Sequence, residues 1–222
     1  PGENVLVWGG SGGLGIFAVQ ICKVIGANAI AVVSSEAKAR LARSLGARWT
    51  IDRREFDFAR RPDETPDQRR HRLEETKRFG KALRELTGGA DVDVVFEHVG
   101  RETFPTSVFL AKRFGRIVIC GATSGYELDF DVRHLWMRQK QIIGSHFANA
   151  WEADRANQLI VDGKIVPWLD AVFPFEETPR AHAEMAANRH MGKMAIAVGA
   201  PLEARRAAPN RWEGVREGAS IH

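Results

Sequence analysis

VLVWGGSGGLGIFAVQIC, residues 5–22, decides the fold. A short β-branched apolar run enters Gly10-Ser11-Gly12-Gly13-Leu14-Gly15, a GxGxxG, and an apolar segment with helical spacing leaves it. Glycines at these positions let a strand-to-helix turn be tight, let the main chain approach a pyrophosphate and let the helix pack on the strand. The N–H groups at the helix N-terminus then face the anion. The spacing predicts a strand at 4–8, a helix over Gly15–Val24, and dinucleotide phosphates lying across Gly10, Ser11, Gly12, Gly13, Leu14 and Gly15; a purely structural glycine turn is the competing reading.

Outward from this turn the same rhythm repeats. Runs at 29–33, 48–51, 92–96, 116–120 and 141–145 alternate with amphipathic segments such as 37–45, and Gly46 and Gly88-Gly89 act as helix stops. Strands alternating with helices specify right-handed βαβ units, hence an α/β fold: a Rossmann doubly wound parallel sheet with helices on both faces. Residues 1–150 are expected to form this nucleotide-binding domain. Within it, residues 53–77 carry both charge signs densely together with two prolines, and read as an insertion, a solvated loop and exposed helix, with an interface or ligand-contacting element as the alternative. Residues 151–200 change character: a helix at 151–161, an extended AVFPFEE, a helix at 178–188 and a strand at 194–198. Residues 201–222 read as a polar tail.

The tip of the second strand, about 20 residues past the turn, decides between NAD and NADP. Ser34 and Ser35 offer hydroxyls there, with Lys38 and Arg40 close behind and Arg53 as a further candidate, which suits a 2′-phosphate and so NADPH. Glu36 holds open the NAD alternative, since a carboxylate accepts from a ribose 2′-hydroxyl. Ser35 as a plain helix cap and Lys38 as a surface residue are the structural alternatives.

Composition closes off other classes. With 222 residues and 44% hydrophobic content the chain has a core to bury, and no run approaches the roughly 18 apolar residues of a membrane span. Neither a membrane role nor a secretory leader is expected, and the reading is cytoplasmic. Cys22 and Cys120 are too few for a disulfide framework or a thiolate zinc cluster, and both are expected as reduced core residues. The formal charge of +4 is spread among acids without a basic stripe, which argues against nucleic acid and for a polyanionic small molecule. Tyr126 has Phe130 four positions on, so the Tyr-x-x-x-Lys dyad of short-chain dehydrogenases is missing. Hydride chemistry here is expected to proceed without a metal from this chain.

Ligands of an open α/β sheet lie outside the carboxyl ends of its strands. The fourth strand ends at Glu97-His98-Val99-Gly100, the fifth at Cys120-Gly121-Ala122-Thr123-Ser124 and the sixth at Gly144-Ser145-His146-Phe147-Ala148-Asn149. These ends are expected to converge on the nicotinamide half of a cofactor, with Cys120, Gly121, Ser145, His146 and Phe147 around it. Strand alternation sets Glu97 opposite His98 and gives it a structural role.

WGGSGGLGIFAVQICKVIGANAIAVVSSEAK, RFGKALRELTGG, VFEHVGRETFP and GSHFAN together resemble the crotonyl-CoA carboxylase/reductases, including the ethylmalonyl-CoA branch, of the medium-chain dehydrogenase/reductase superfamily. The resemblance spans nearly the whole chain and implies NADPH-dependent reduction of an enoyl-CoA, with the enolate capturing carbon dioxide. His98 matches the histidine of the family's carbon dioxide pocket, which implies that it positions that substrate. Val99 stands where the family has proline. The resemblance further implies a homo-oligomer, a tetramer, and a GroES-like catalytic domain not found in these residues, to which 151–200 would return. A plain enoyl-CoA or quinone reductase, and a non-catalytic nucleotide-binding module, are the alternatives.

Overall fold

The computed structural model describes residues 1–188 and 190–199, so the polar tail expected at 201–222 lies outside the described residues. Six strands, β1 (Asn4–Val7), β2 (Asn28–Val33), β3 (Trp49–Asp52), β4 (Val92–Glu97), β5 (Ala111–Ile119) and β6 (Gln141–Gly144), form one sheet in the order β3-β2-β1-β4-β5-β6. Every neighbouring pair is parallel. The chain winds outward from β1 to β3, then returns across β1 to start β4. That reversal leaves a crevice beyond the carboxyl ends of β1 and β4, where such folds place their ligands.

Alternation along each strand builds a core on both faces. Leu6, Trp8, Ile30, Val32, Val95 and Ile117 face α3 (Pro66–Leu86) and α4 (Phe104–Leu110), which contribute Phe79, Leu83, Phe104 and Val108. Val7, Ala29, Ala31 and Val33 face α1 (Gly15–Val24) and α2 (Glu36–Ser44), which contribute Ile16, Val19, Ala39 and Leu41. Removing such aliphatic side chains from water stabilises by about 1.5–3 kcal/mol each. The doubly wound parallel sheet with helices on both faces stands as the sequence predicts it.

The charged insertion is a largely exposed loop and helix that also carries two aromatics into the core. Residues 53–55 make a 3-10 turn, and α3 begins at Pro66 behind a Thr65 capping box and runs unbroken through Leu86, so residue 77 lies inside a helix. Phe58 is 4% exposed and meets Trp8 edge-on at 5.5 Å, while Phe56 meets Phe79 at 5.0 Å. Arg72 is also buried, bonded through Nε and Nη2 to Glu64 at 2.8 and 3.1 Å. Two aromatics spaced by one residue, flanked by charges, close the core over β1. Most of residues 53–65 stays exposed around these two aromatics, which cap that face of the core.

A short α5 (Arg133–Trp136) precedes β6, and beyond β6 come α6 (Ala150–Val161), β7 (Leu169–Pro174), α7 (Thr178–Ala186) and β8 (Lys193–Ala197). β7 and β8 pair in parallel as a second, two-stranded sheet. Gln20 of α1 bonds both the N–H and the carbonyl of Val166, and Gly192 N–H donates to Ser11 O at 2.7 Å. These bonds seat the pair against the glycine turn. Gly192 has φ +68°, and a Cβ there would stand 2.6 Å from Trp168 O, so only glycine fits this approach.

Candidate functional site

The turn from Gly9 to Gly15 is packed too tightly for side chains at two of its positions. A Cβ on Gly10 would stand 2.5 Å from Ala31 Cβ, and one on Gly15 2.1 Å from Gly9 O. Gly12 N–H closes the turn onto Gly9 O at 2.8 Å. α1 then starts with no side-chain cap and no acid in its first turn. Uncapped N–H groups at a helix start carry partial positive charge and attract an anion. Lys193 Nζ lies 3.2 Å from where a Cβ of Gly13 would be. A bare, glycine-lined helix start with an ammonium beside it fits a pyrophosphate.

Ser11 and Leu14 take different parts. Ser11 is buried, with its carbonyl held by Gly192 N–H, and so fastens β8 to the turn. Leu14 is 47% exposed on the open side.

At the tip of β2, Ser35 Oγ accepts from Lys38 N–H at 3.2 Å and caps α2. Lys38 reaches Asn188 O at 3.4 Å, and partial burial together with the Arg53 guanidinium pulls its ammonium below the usual lysine range. Among the described residues Arg53 has no carboxylate within ion-pair distance. Lys38 and Arg53 thus stand close enough to repel, with Ser34 and Ser35 at the same β2 tip, while Asp52 beside Arg53 gives its carboxylate to Arg54. Glu36, which held open the NAD alternative, turns its carboxylate to Arg43 Nη2 at 2.5 Å and Arg40 Nη1 at 3.9 Å. Arg40 thus belongs to that ion pair.

His98 follows directly on β4, half-buried. Its Nε2 lies 2.9 Å from Trp8 O, and a Cβ on Gly9 would meet the ring at 3.1 Å. A carbonyl only accepts, so Nε2 carries the proton and Nδ1 is the nitrogen left over. Glu97, on the other face, is fully buried and accepts from Val99 N–H (2.8 Å), Gly100 N–H (3.2 Å), Thr103 Oγ1 (2.9 Å) and Ser107 Oγ (2.5 Å). Trp8 Nε1 donates to Ser107 Oγ at 2.8 Å. The sequence's Val99 therefore has a local consequence, because a proline there has no N–H to give to Glu97.

The fifth and sixth strand ends are joined unequally to this centre. Cys120 N–H donates to Glu97 O at 3.2 Å, Thr123 N–H to His98 O at 3.3 Å, and a Cβ on Gly121 would lie 3.6 Å from His98 O. Cys120 is half-buried at the crevice rather than in the core, and burial with the nearby Glu97 carboxylate raises its thiol above the usual range. Ser145 N–H donates to Ile119 O at 2.9 Å. The rings of His146 and Phe147 meet at a tilt of 44°, centroids 3.9 Å apart, with Phe147 90% exposed at φ +59°. No described contact joins that pair to His98 or the turn.

Lys193 is the residue that sequence reasoning missed. Its signal was Gly192-Lys193 immediately ahead of the last apolar run, a glycine marking close backbone approach followed by a cation. Only the long-range pairing of β8 brings it to residue 13.

A family model described as zinc-binding dehydrogenase matches residues 13–162. A crotonyl-CoA reductase of Streptomyces avermitilis is 50% identical over 202 residues, covering 91% of this chain and 44% of its own length. A solved crotonyl-CoA carboxylase/reductase superposes with TM-score 0.85 at 47% identity, covering 94% of this chain and 49% of that one. A second, in complex with NADP, gives TM-score 0.83 at 44% identity over 89% of this chain and 50% of that one. The chain thus spans about half the length of the relatives it matches. The zinc of the family description has no donor set here: among the described residues no three His, Cys, Asp or Glu side chains are grouped to hold a metal ion.

Proposed function

The chain belongs to the zinc-binding dehydrogenase family, and from that membership we propose that it is the NADPH-binding part of a crotonyl-CoA carboxylase/reductase-type enzyme. One observation carries the reading: His98 Nε2, 2.9 Å from Trp8 O, holds an imidazole against the first step of the glycine turn, in the crevice between β1 and β4. The residues fit NADPH as follows. The turn from Gly10 to Gly15, through the N–H groups other than those Gly10 gives to Val32 O and Gly12 to Gly9 O, takes the pyrophosphate together with Lys193, and Ser34, Ser35, Lys38 and Arg53 take the 2′-phosphate. Cys120 and Gly121 border the nicotinamide side, with Ser145, His146 and Phe147 at the outer rim. When bound, NADPH supplies the hydride for the β-carbon of an enoyl thioester.

His98 acts on the other reactant. With Nε2–H committed to Trp8 O, Nδ1 is the nitrogen left for carbon dioxide, and it donates to an oxygen of that substrate only when the ring carries a second proton. That bond strengthens as the oxygen becomes a carboxylate, so it favours the carboxylated product over the protonated one. Glu97 keeps the β4 end rigid by tying Val99, Gly100, Thr103 and Ser107 to one carboxylate. The substrates are an acyl-CoA and carbon dioxide.

Two further features belong to this reading. The two thiols are free, in keeping with a cytoplasmic enzyme. Ile142 and Ile143 on edge strand β6, each 39% exposed, suit a homo-oligomer. No helix among the described residues is long and apolar enough to cross a membrane.

The test is the mass of the product formed from crotonyl-CoA and NADPH by the protein at its relatives' full length, with and without saturating bicarbonate. Ethylmalonyl-CoA is expected. A purely reduced product at saturating bicarbonate means a plain enoyl-CoA reductase, and NADPH binding without any turnover means a nucleotide-binding module.

A further inference from the structure

Glu36 is the single acid among residues 34–40, and it is the first residue of α2. A carboxylate there gains from the partial charge of the free N–H groups at the helix start. Lys38, two residues on, interacts with Arg53 at the same end of α2. Yet the Glu36 side chain runs the opposite way, down the helix: Oε1 accepts from Arg43 Nη2 at 2.5 Å, seven residues on. Arg43 is itself fixed, because its Nη1 donates to Thr50 Oγ1 on β3 at 2.8 Å. One guanidinium fork thus joins the acid to the neighbouring strand, and such a planar fork orients two partners at once where a lysine would not.

We infer that Arg43 is a positioning residue for cofactor choice: it draws Glu36 away from Ser34, Ser35, Lys38 and Arg53, and so leaves that β2 tip positive for a 2′-phosphate. The inference rests on the NADPH reading above. Once Arg43 is removed, only the exposed Arg40, 3.9 Å away, still holds the carboxylate down the helix, and the start of α2 outcompetes that weak pair. There it neutralises Lys38, repels a 2′-phosphate and accepts from a 2′-hydroxyl. The two cofactors respond with opposite signs. Simple loss of a surface cation has a different signature, because it weakens NADPH without improving NADH.

The experiment is fluorescence titration of NADPH and NADH into the 222-residue chain and its Arg43→Met, Glu36→Gln and doubly substituted variants at low salt, with circular dichroism to verify folding. Arg43→Met is expected to lower the NADPH preference about three- to tenfold, within reach of an exposed ion pair, with NADH binding tightened. Glu36→Gln keeps the wild-type preference or raises it, and the double variant returns to the Glu36→Gln value. The inference falls if Arg43→Met keeps the wild-type preference, or if its loss persists in the double variant. If the wild-type chain binds neither nucleotide, the NADPH reading itself falls and takes the inference with it.

Discussion

The imidazole Nε2 of His98 lies 2.9 Å from the carbonyl oxygen of Trp8, so the end of β4 and the start of the glycine turn form one hydrogen-bonded unit. The proposed carbon dioxide anchor and the cofactor turn therefore share a support. His98→Asn is expected to lower the ratio of carboxylated to reduced product at least tenfold, in the range of losing one donor to a developing oxyanion. NADPH affinity should stay within about threefold, because the turn keeps its bonds from Gly10 to Val32 and from Gly12 to Gly9. Mass spectrometry of products with parallel NADPH titration decides it. An equal fall in both quantities means the ring serves only as a strut beneath the turn.

Glycines in the turn divide into two kinds. Gly15→Ala drives a Cβ to 2.1 Å from the backbone oxygen of Gly9, whereas at Gly12 the nearest atom is that same oxygen at 3.3 Å. Gly15→Ala is expected to destabilise by about 3 kcal/mol or more, lowering Tm by at least 5 °C. Gly12→Ala leaves Tm within about 2 °C but reduces NADPH affinity, since its methyl occupies the anion's approach. Scanning calorimetry with and without NADPH separates the two.

The parts of this fold that were legible in the sequence are those governed by local periodicity. α1 begins and ends where the glycines and apolar spacing place it, and all six sheet strands are present because buried parallel strands write themselves as β-branched runs. What was not legible in the insertion has a physical reason: Phe56 and Phe58 are two apolar residues in a field of charges, and their burial depends on meeting Trp8 and Phe79, which no local window contains. α3 absorbs the insertion's end because Thr65 and Gln68 cap it at Pro66, a signal present in the sequence but masked by the charge density. In the site, Ser35 was placed correctly both as a cap and at the β2 tip. Lys193 and the direction of Glu36 escaped because they depend on β8 and on Thr50, each distant in sequence.

Two lysines border the proposed cofactor at different phosphates, which separates their effects. Lys193 stands beside Gly13, where the proposed reading puts the pyrophosphate of NADPH and NADH alike, so Lys193→Met is expected to weaken the two nucleotides equally, by about tenfold or more. Lys38 stands with Arg53 at the β2 tip, so Lys38→Glu should weaken NADPH at least tenfold and change NADH less than about threefold. Isothermal titration of both nucleotides into each variant reads this directly. A Lys38→Glu chain with unchanged preference would move 2′-phosphate recognition to Arg53 alone.

Far from the turn, Lys140 donates to the last carbonyls of α4, Val108 O at 2.6 Å and Phe109 O at 3.2 Å. Burial, and secondarily the Arg138 guanidinium, bring its ammonium down from 10.5 to about 8. The sign follows from proton counting. Between about pH 8 and 10.5 the unfolded chain still holds this proton while the folded chain has released it, so stability rises with pH across that window. Below pH 8 the buried charge carries its full cost. Cys22 acts oppositely: burial raises its thiol from 9.0 to about 11, so the unfolded chain loses that proton first and stability falls between those values. Comparison with Lys140→Met cancels the cysteine, because both proteins contain it. The variant's hydrogen-bond loss is a constant offset at every pH. The stability difference between wild type and Lys140→Met, from urea unfolding, is therefore expected to shift in favour of wild type by about 1–2 kcal/mol from pH 7 to pH 10, a figure reduced for the screening of a half-exposed amine. A pH-independent difference would mean that Lys140 keeps an ordinary ammonium at the end of α4.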